Sequence, residues 1–128
     1  MRVLVCGGRD FALLEKSIEA SNQRSFIYKT LQEINLRHDP IEVLIEGDAK
    51  GVDRCAGSWA RSHGITNRKF PADWKKYGNS AGPIRNQQML DEGLPDLVMA
   101  FPGGTGTADM VRRAKKSGIP VEEVSYDG

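Results

Sequence analysis

Four loops of this 128-residue chain carry residue types able to hold a phosphorylated ligand. They are Gly7-Gly8-Arg9-Asp10, Gly47-Asp48-Ala49-Lys50-Gly51-Val52-Asp53, Pro71-Ala72-Asp73-Trp74 and Pro102-Gly103-Gly104-Thr105-Gly106-Thr107. Glycines let the backbone approach an anion closely and adopt positive φ, and the free N–H groups of a following helix point at it. Thr105 and Thr107 add hydroxyls, while Arg9 and Arg85 offer guanidinium forks for a charged clamp. A helix dipole contributes only about 0.3–1 kcal/mol toward an exposed charge, so amide hydrogen bonds must supply most of the grip. Neither standard phosphate motif is present. No GxxxxGK followed by Ser or Thr occurs, and a GxGxxG reading through Gly104 and Gly106 meets Asp109 where a glycine is required. This disfavours an ATPase or an ordinary dehydrogenase. Any one of these loops could simply be a tight strand-to-helix turn; four along one edge favour a site.

Each loop follows a β-rich run. Such runs cover 2–6, 42–46, 66–70, 96–101 and 120–125, mostly as the continuous apolar stretches of buried parallel strands. Between them Ile27, Leu31 and Ile34, and then Cys55, Ala56, Trp59 and Ala60, have helical spacing. A further helix is predicted over 84–92, beginning after Gly82-Pro83 and stopping at Gly93. Another is predicted over 107–117, with Met110, Val111 and Ala114 inward and Arg112, Arg113, Lys115 and Lys116 before Gly118. In 11–23, Phe11, Leu14 and Ile18 suit a helix but Ser21-Asn22-Gln23 breaks the pattern, giving a short helix or a loop insertion. Strands alternating with helices mean an α/β fold of crossover units. With five parallel strands in the order 3-2-1-4-5 and helices on both faces, the winding reverses between the first and fourth strands. Gly7 and Gly8 then lie beside Gly103 and Gly104, on the carboxyl edge where ligands of open α/β sheets bind.

Composition is that of one ordinary globular domain spanning 1–128, with 39% hydrophobic and 27% charged residues. Lys plus Arg (18) nearly balance Asp plus Glu (17), which argues against nucleic acid as the partner and makes the basic end of the last helix a solvated face. The apolar run before Gly7-Gly8 is too short for a secretory or membrane segment, so a cytoplasmic location without a membrane partner is expected. Cys6 and Cys55 lack CxxC spacing and neighbouring histidines; they are expected reduced and buried, with no metal and no cofactor. His38 and His63 are read as residues of helix ends, serving a cap or the helix dipole.

The stretches CGGRDF, IEGDAKGVD with its following Ala and Trp, FPADW, AGPIRNQQML and DLVMAFPGGTGTADM occur in this order. Together they resemble the YspA-like branch of the SLOG superfamily, to which the DprA/Smf DNA-processing proteins and the LOG, or Lonely guy, phosphoribohydrolases are related. The match runs over about 2–124 apart from 11–23. The resemblance implies a Rossmann-like fold, a nucleotide or nucleotide-derived small molecule as ligand, and a homo-oligomer, dimeric or larger. LOG enzymes release a free base from a nucleoside 5′-monophosphate with an arginine from RKxxM and a glutamate from PGGxGTxxE. Arg85-Asn86-Gln87-Gln88-Met89 keeps the arginine and methionine. Met110 stands where the glutamate belongs, and Asp109 lies one residue earlier, roughly 100° around the helix and a methylene shorter. A retained phosphate loop without its acid fits a binding module. The alternative, a phosphoribohydrolase or N-glycosidase, would rely on Arg85 with Asp48, or on Asp53, to stabilise an oxocarbenium-like centre or activate water.

The expected ligand set follows. Gly103, Gly104, Thr105, Gly106 and Thr107 hold phosphate, Gly7, Gly8 and Arg9 complete the cradle, and Gly47, Asp48, Gly51, Asp53, Arg85 and Asn86 orient ribose or base. Plainer roles compete: Asp53 as the helix N-cap before Arg54, Arg85 paired with Asp91 or Glu92, and Cys6 as a small residue at a strand end. Trp74 could stack a base, although closing the core or a subunit interface is the favoured role; Trp59 is read as packing.

Overall fold

The computed structural model describes residues 1–37 and 39–128, so the expectation for His38 lies outside the described residues. In chain order the elements are β1 (Arg2–Cys6), α1 (Ile18–Arg37), β2 (Val43–Glu46), α2 (Val52–Ser62), β3 (Thr66–Lys69) and α3 (Trp74–Tyr77). A 3-10 turn (Gly78–Ser80), α4 (Ala81–Gly93), β4 (Leu97–Ala100), α5 (Thr105–Lys116) and β5 (Val121–Glu123) complete the chain. The strands form one sheet in the order β3-β2-β1-β4-β5, every neighbouring pair parallel, as the loop and strand pattern predicts.

Alternation along β1 explains the layers. Val3 and Val5 face α1 and α2, where they pack with Ile27, Leu31, Cys55 and Trp59. Leu4 and Cys6 face α4 and α5 and meet Met89, Leu90, Met110 and Ala114. Both faces of the central strand are therefore covered, which is why its sequence is apolar without a break from Val3 to Cys6. The edge strand β3 reads Thr-Asn-Arg-Lys, and those polar side chains guard an otherwise open ladder. Among the described residues no helix is long and apolar enough to cross a membrane. Both cysteines are free and buried, and no cluster of metal-ligating side chains forms among the described residues.

Three element boundaries differ from expectation for identifiable reasons. Helix α1 begins at Ile18 and runs straight through Ser21, Asn22 and Gln23. The Ser17 hydroxyl accepts the Ala20 N–H at 3.0 Å and caps the new start. Gln23 accepts the Ala12 N–H at 2.9 Å, and Arg24 donates to the Leu13 carbonyl. Gln23, one of the residues that look like a helix break, is thus one that ties the 11–17 loop to the helix, with Arg24 beside it. Helix α4 starts at Ala81, before Pro83, whose missing N–H lies in the first turn where no helical partner exists. Its final Gly93 serves close approach to the sheet, since a Cβ there would lie 3.2 Å from Ile45 Cδ1; the left-handed residue that follows is Leu94, at φ 51°. Helix α5 starts at Thr105, two residues ahead of the predicted start, so its free amides belong to the glycine loop itself.

Candidate functional site

The loops after β1 and β4 touch. Gly8 N–H donates to the Pro102 carbonyl at 2.8 Å, and a Cβ on Gly103 would stand 2.8 Å from Gly8 N. The loop after β2 joins them, because Val52 N–H donates to the Gly8 carbonyl at 3.2 Å. Gly51, at φ 86°, lies so close to the Gly8 and Arg9 carbonyls that a Cβ would come within 2.5 and 2.7 Å of them. Along α5 the first helical bond of this end runs from Ala108 N–H to the Gly104 carbonyl at 3.0 Å. The amides of Thr105, Gly106 and Thr107 precede it and have no partner within the helix. A Cβ on Gly104 or Gly106 would meet nothing within 4 Å, so the backbone there is open to an incoming group.

These amides border a cleft of about 1030 Å³ on the carboxyl edge, at the upper end of the size range of ligand pockets. Its walls bring together Gly7, Gly8, Arg9, Asp53, Arg85, Asn86, Gly103, Gly104, Thr105, Gly106 and Thr107. Gly47 and Asp48 instead line an adjoining cavity of about 320 Å³, together with Lys50 and Arg54. Gly51 lines neither and serves the packing of the loops just described.

Asp10 also lines the cleft, and three further carboxylates at or beside it differ sharply. Asp48 has left-handed φ of 58° and turns to Lys69 at 3.4 Å and Arg54 at 3.5 Å. Asp109 accepts from Asn86 at 3.0 Å, Arg113 at 2.8 Å, and Arg112. Burial opposes its charge, but the bonds from Asn86 and Arg113 prevail and hold its carboxyl below the ordinary range. Asp53 sits in the second position of α2, with Gly51 as the N-cap, so the simple capping role for Asp53 does not apply. Its side chain is buried and accepts a longer bond from Ala49 N–H at 3.3 Å. Burial, then the nearby Glu46 charge, pushes its carboxyl up to about 7 against the pull of Arg85.

Arg85 spans the floor. It donates from Nη1 to the Gly47 carbonyl at 2.7 Å and from Nε to Asn86 Oδ1 at 3.1 Å, and among the described residues no ion pair joins it to Asp91 or Glu92. Burial lowers its pKa from the ordinary arginine value. Asn86 is buried and also donates to the Gly106 carbonyl at 3.2 Å, so it ties α4 to the glycine-loop end of α5. Cys6 lies in the cleft wall, where burial and then the Asp53 charge push its thiol up to about 12; it stays protonated at neutral pH and is no nucleophile.

Trp74, Asp109 and Arg112 line the cleft beyond the predicted set. Trp74 is 46% exposed, so it does not close the core; Arg9 lies over its ring at 5.0 Å. The Asp109 cluster had a readable signal, since Arg112 and Arg113 follow it at i+3 and i+4 on one helix face. Trp59 is buried in the core, as its helical spacing predicts.

A doubly wound parallel sheet with a glycine-lined cleft at its winding reversal defines a Rossmann-like architecture. Within that class the chain belongs to the YspA, cpYpsA-related SLOG family (YAcAr), whose model matches residues 1–77. It is 41% identical over 86 residues to the Gene 61 protein of Mycobacterium phage D29, which covers 62% of this chain and 68% of that protein. The X-ray structure of DNA processing protein A (DprA) from Streptococcus pneumoniae superposes with a TM-score of 0.72 over 98% of this chain at 19% identity. The chain spans 50% of that structure's length, and the likeness is one of fold.

Proposed function

We propose that this domain binds a phosphorylated nucleoside or another nucleotide-derived small molecule in the carboxyl-edge cleft. The observation that carries the reading is the set of amides at Thr105, Gly106 and Thr107, free of helical partners and bordering a cleft with Arg9 and Arg112 in its walls. Phosphate sits on these amides. Ribose and base extend toward Arg85, Asp53 and Trp74, with the ribose hydroxyls donating to the Asp53 carboxylate when it is ionised. We further expect the domain to assemble as a homo-oligomer and to act in the cytoplasm.

Melting shifts across a nucleotide panel, with mass spectrometry of any molecule retained through purification, test the reading. A ligand at 100 times its Kd adds about 2.7 kcal/mol of stability, whereas a panel without any shift overturns it. Thr105→Pro is the sharper probe. Proline is favoured at a first helical position but removes one phosphate-facing amide. The variant should fold normally and bind the monophosphate roughly 10- to 100-fold more weakly, as loss of one charge-assisted bond predicts. Thr105→Val separates the hydroxyl's share, and unchanged affinity in Thr105→Pro would place the phosphate elsewhere.

Two other readings each have one observation behind them. Hydrolysis of an N-glycosidic bond is favoured by Asp53, a cleft carboxyl near 7 that could pass a proton to or from water beside Arg85. Release of free base from a nucleoside monophosphate, lost in Arg85→Ala, Asp48→Ala or Asp53→Asn, would establish it. The charge balance argued against nucleic acid, but the likeness of fold to a protein named for DNA processing returns a single strand to the list of ligands to test. Strand binding that weakens steeply with salt would support that reading.

A further inference from the structure

The adjoining cavity is not a separate feature. It shares Arg9, Ala49, Trp74 and Arg85 with the main cleft, and adds Lys50 and Arg54. Against Arg9, Lys50, Arg54 and Arg85 it has a single carboxylate, Asp48, which Arg54 meets at 3.5 Å and Lys69, from outside the recess, at 3.4 Å. Among the described residues Arg9 and Lys50 form no ion pair. Arg9 also stands near enough to Arg85 for the two like charges to work against each other. Cations gathered this way, with their carboxylate already spent, leave a net positive recess of about 320 Å³ beside the phosphate cleft. Trp74 lines both spaces, half exposed, with the Arg9 guanidinium over its ring.

We propose that this recess is a second anion subsite, so that the preferred ligand is a nucleotide with two separated phosphoryl groups. One group rests on the α5 amides, the other lies between Arg9, Lys50 and Arg54, and the sugar and base cross Trp74. The proposal rests on the nucleotide reading above and specifies its ligand class. A small nucleoside bisphosphate and the successive phosphates of a nucleic-acid strand end share this chemistry.

The test compares adenosine 5′-monophosphate, adenosine 3′,5′-bisphosphate and a 5′-phosphorylated oligonucleotide by calorimetry, on the parent and on Lys50→Ala/Arg54→Ala. The parent should bind the bisphosphate about tenfold or more tightly than the monophosphate, the gain of one added charge-assisted contact. In the double variant that ratio should fall toward one. A ratio near one in the parent, or a preference that survives the double substitution, overturns the second subsite while leaving the cleft reading intact. Failure of every probe to bind overturns the cleft reading instead. A gain held in full by the bisphosphate assigns the subsite to a small molecule, and a further gain of the oligonucleotide over the bisphosphate, lost in the double variant, assigns it to a strand.

Discussion

Arg85→Met is expected to lower the stability of the fold by about 3–5 kcal/mol at pH 8, the usual cost of leaving buried charge without its partner, and to recover much of that loss by pH 5. Arg85 is the cation that pulls on Asp53, and it also lies near a second inward-facing carboxyl, Glu46, which Lys69 attracts as well. Glu46 is wholly buried, held by the Asp48 N–H and by Asn67, and burial raises its pKa above the ordinary value. Asp53 is buried beside it with its carboxyl at about 7, and Arg85 is what keeps that value from rising further.

The direction with pH follows from proton counts. The folded chain holds the Asp53 proton up to about 7, whereas an ordinary aspartate releases it near 3.8. Between those values the folded state binds more protons, so this group's contribution is full below the lower value and is lost as pH rises through the upper one. Without Arg85 the folded value climbs, and the variant suffers most where Asp53 and Glu46 must be ionised. At pH 5 a protonated Asp53 needs no cation. Urea titrations of parent and variant at both pH values check this. An equal deficit at each would mean that Arg85 acts only through its bonds to the Gly47 carbonyl and Asn86.

The difference between what the sequence makes legible and what it hides lies in the range of the interactions. The strand order was readable because Val3-Leu4-Val5 and Leu97-Val98-Met99 have no polar interruption, which only a doubly covered parallel strand tolerates. The meeting of the first and fourth loops then followed from the winding reversal and is realised in the Gly8 to Pro102 bond. The start of α1 was not readable, because Gln23 and Arg24 satisfy the backbone of a loop eleven residues away. Asp53 misleads by two residues, since Gly51 takes the N-cap and leaves the carboxylate buried near Arg85. Trp74 is exposed beside an arginine from a different loop, a pairing that no local pattern encodes. Within the cleft, glycine spacing therefore located the edge where the loops meet, while the charge states of the side chains opposite emerged only with burial.

Gly51→Ala is expected to be the most disruptive single-methyl change at the site, at about 3–5 kcal/mol. Two costs combine. A non-glycine residue held at a left-handed φ costs on the order of 1–3 kcal/mol, and Gly51 has φ 86°. The added methyl would also lie 2.5 Å from the Gly8 carbonyl oxygen and 2.7 Å from that of Arg9, backbone atoms that cannot swing aside as a side chain would. Relief of such overpacking by local movement costs about 1–3 kcal/mol more. Gly64→Ala isolates the first cost, because Gly64 has φ 68° and no atom lies within 4 Å of its added Cβ. Urea midpoints should therefore fall much further for Gly51→Ala than for Gly64→Ala. Equal losses would show that the β2 loop does not press on the β1 loop. The consequence for function is directional: any shift that frees Gly51 must move Gly8 and Arg9, and Gly8 is bonded to Pro102 at the start of the glycine loop after β4. Nucleotide affinity should thus fall in the folded fraction of Gly51→Ala and stay at the parental level in Gly64→Ala, whose glycine lies outside both cavities.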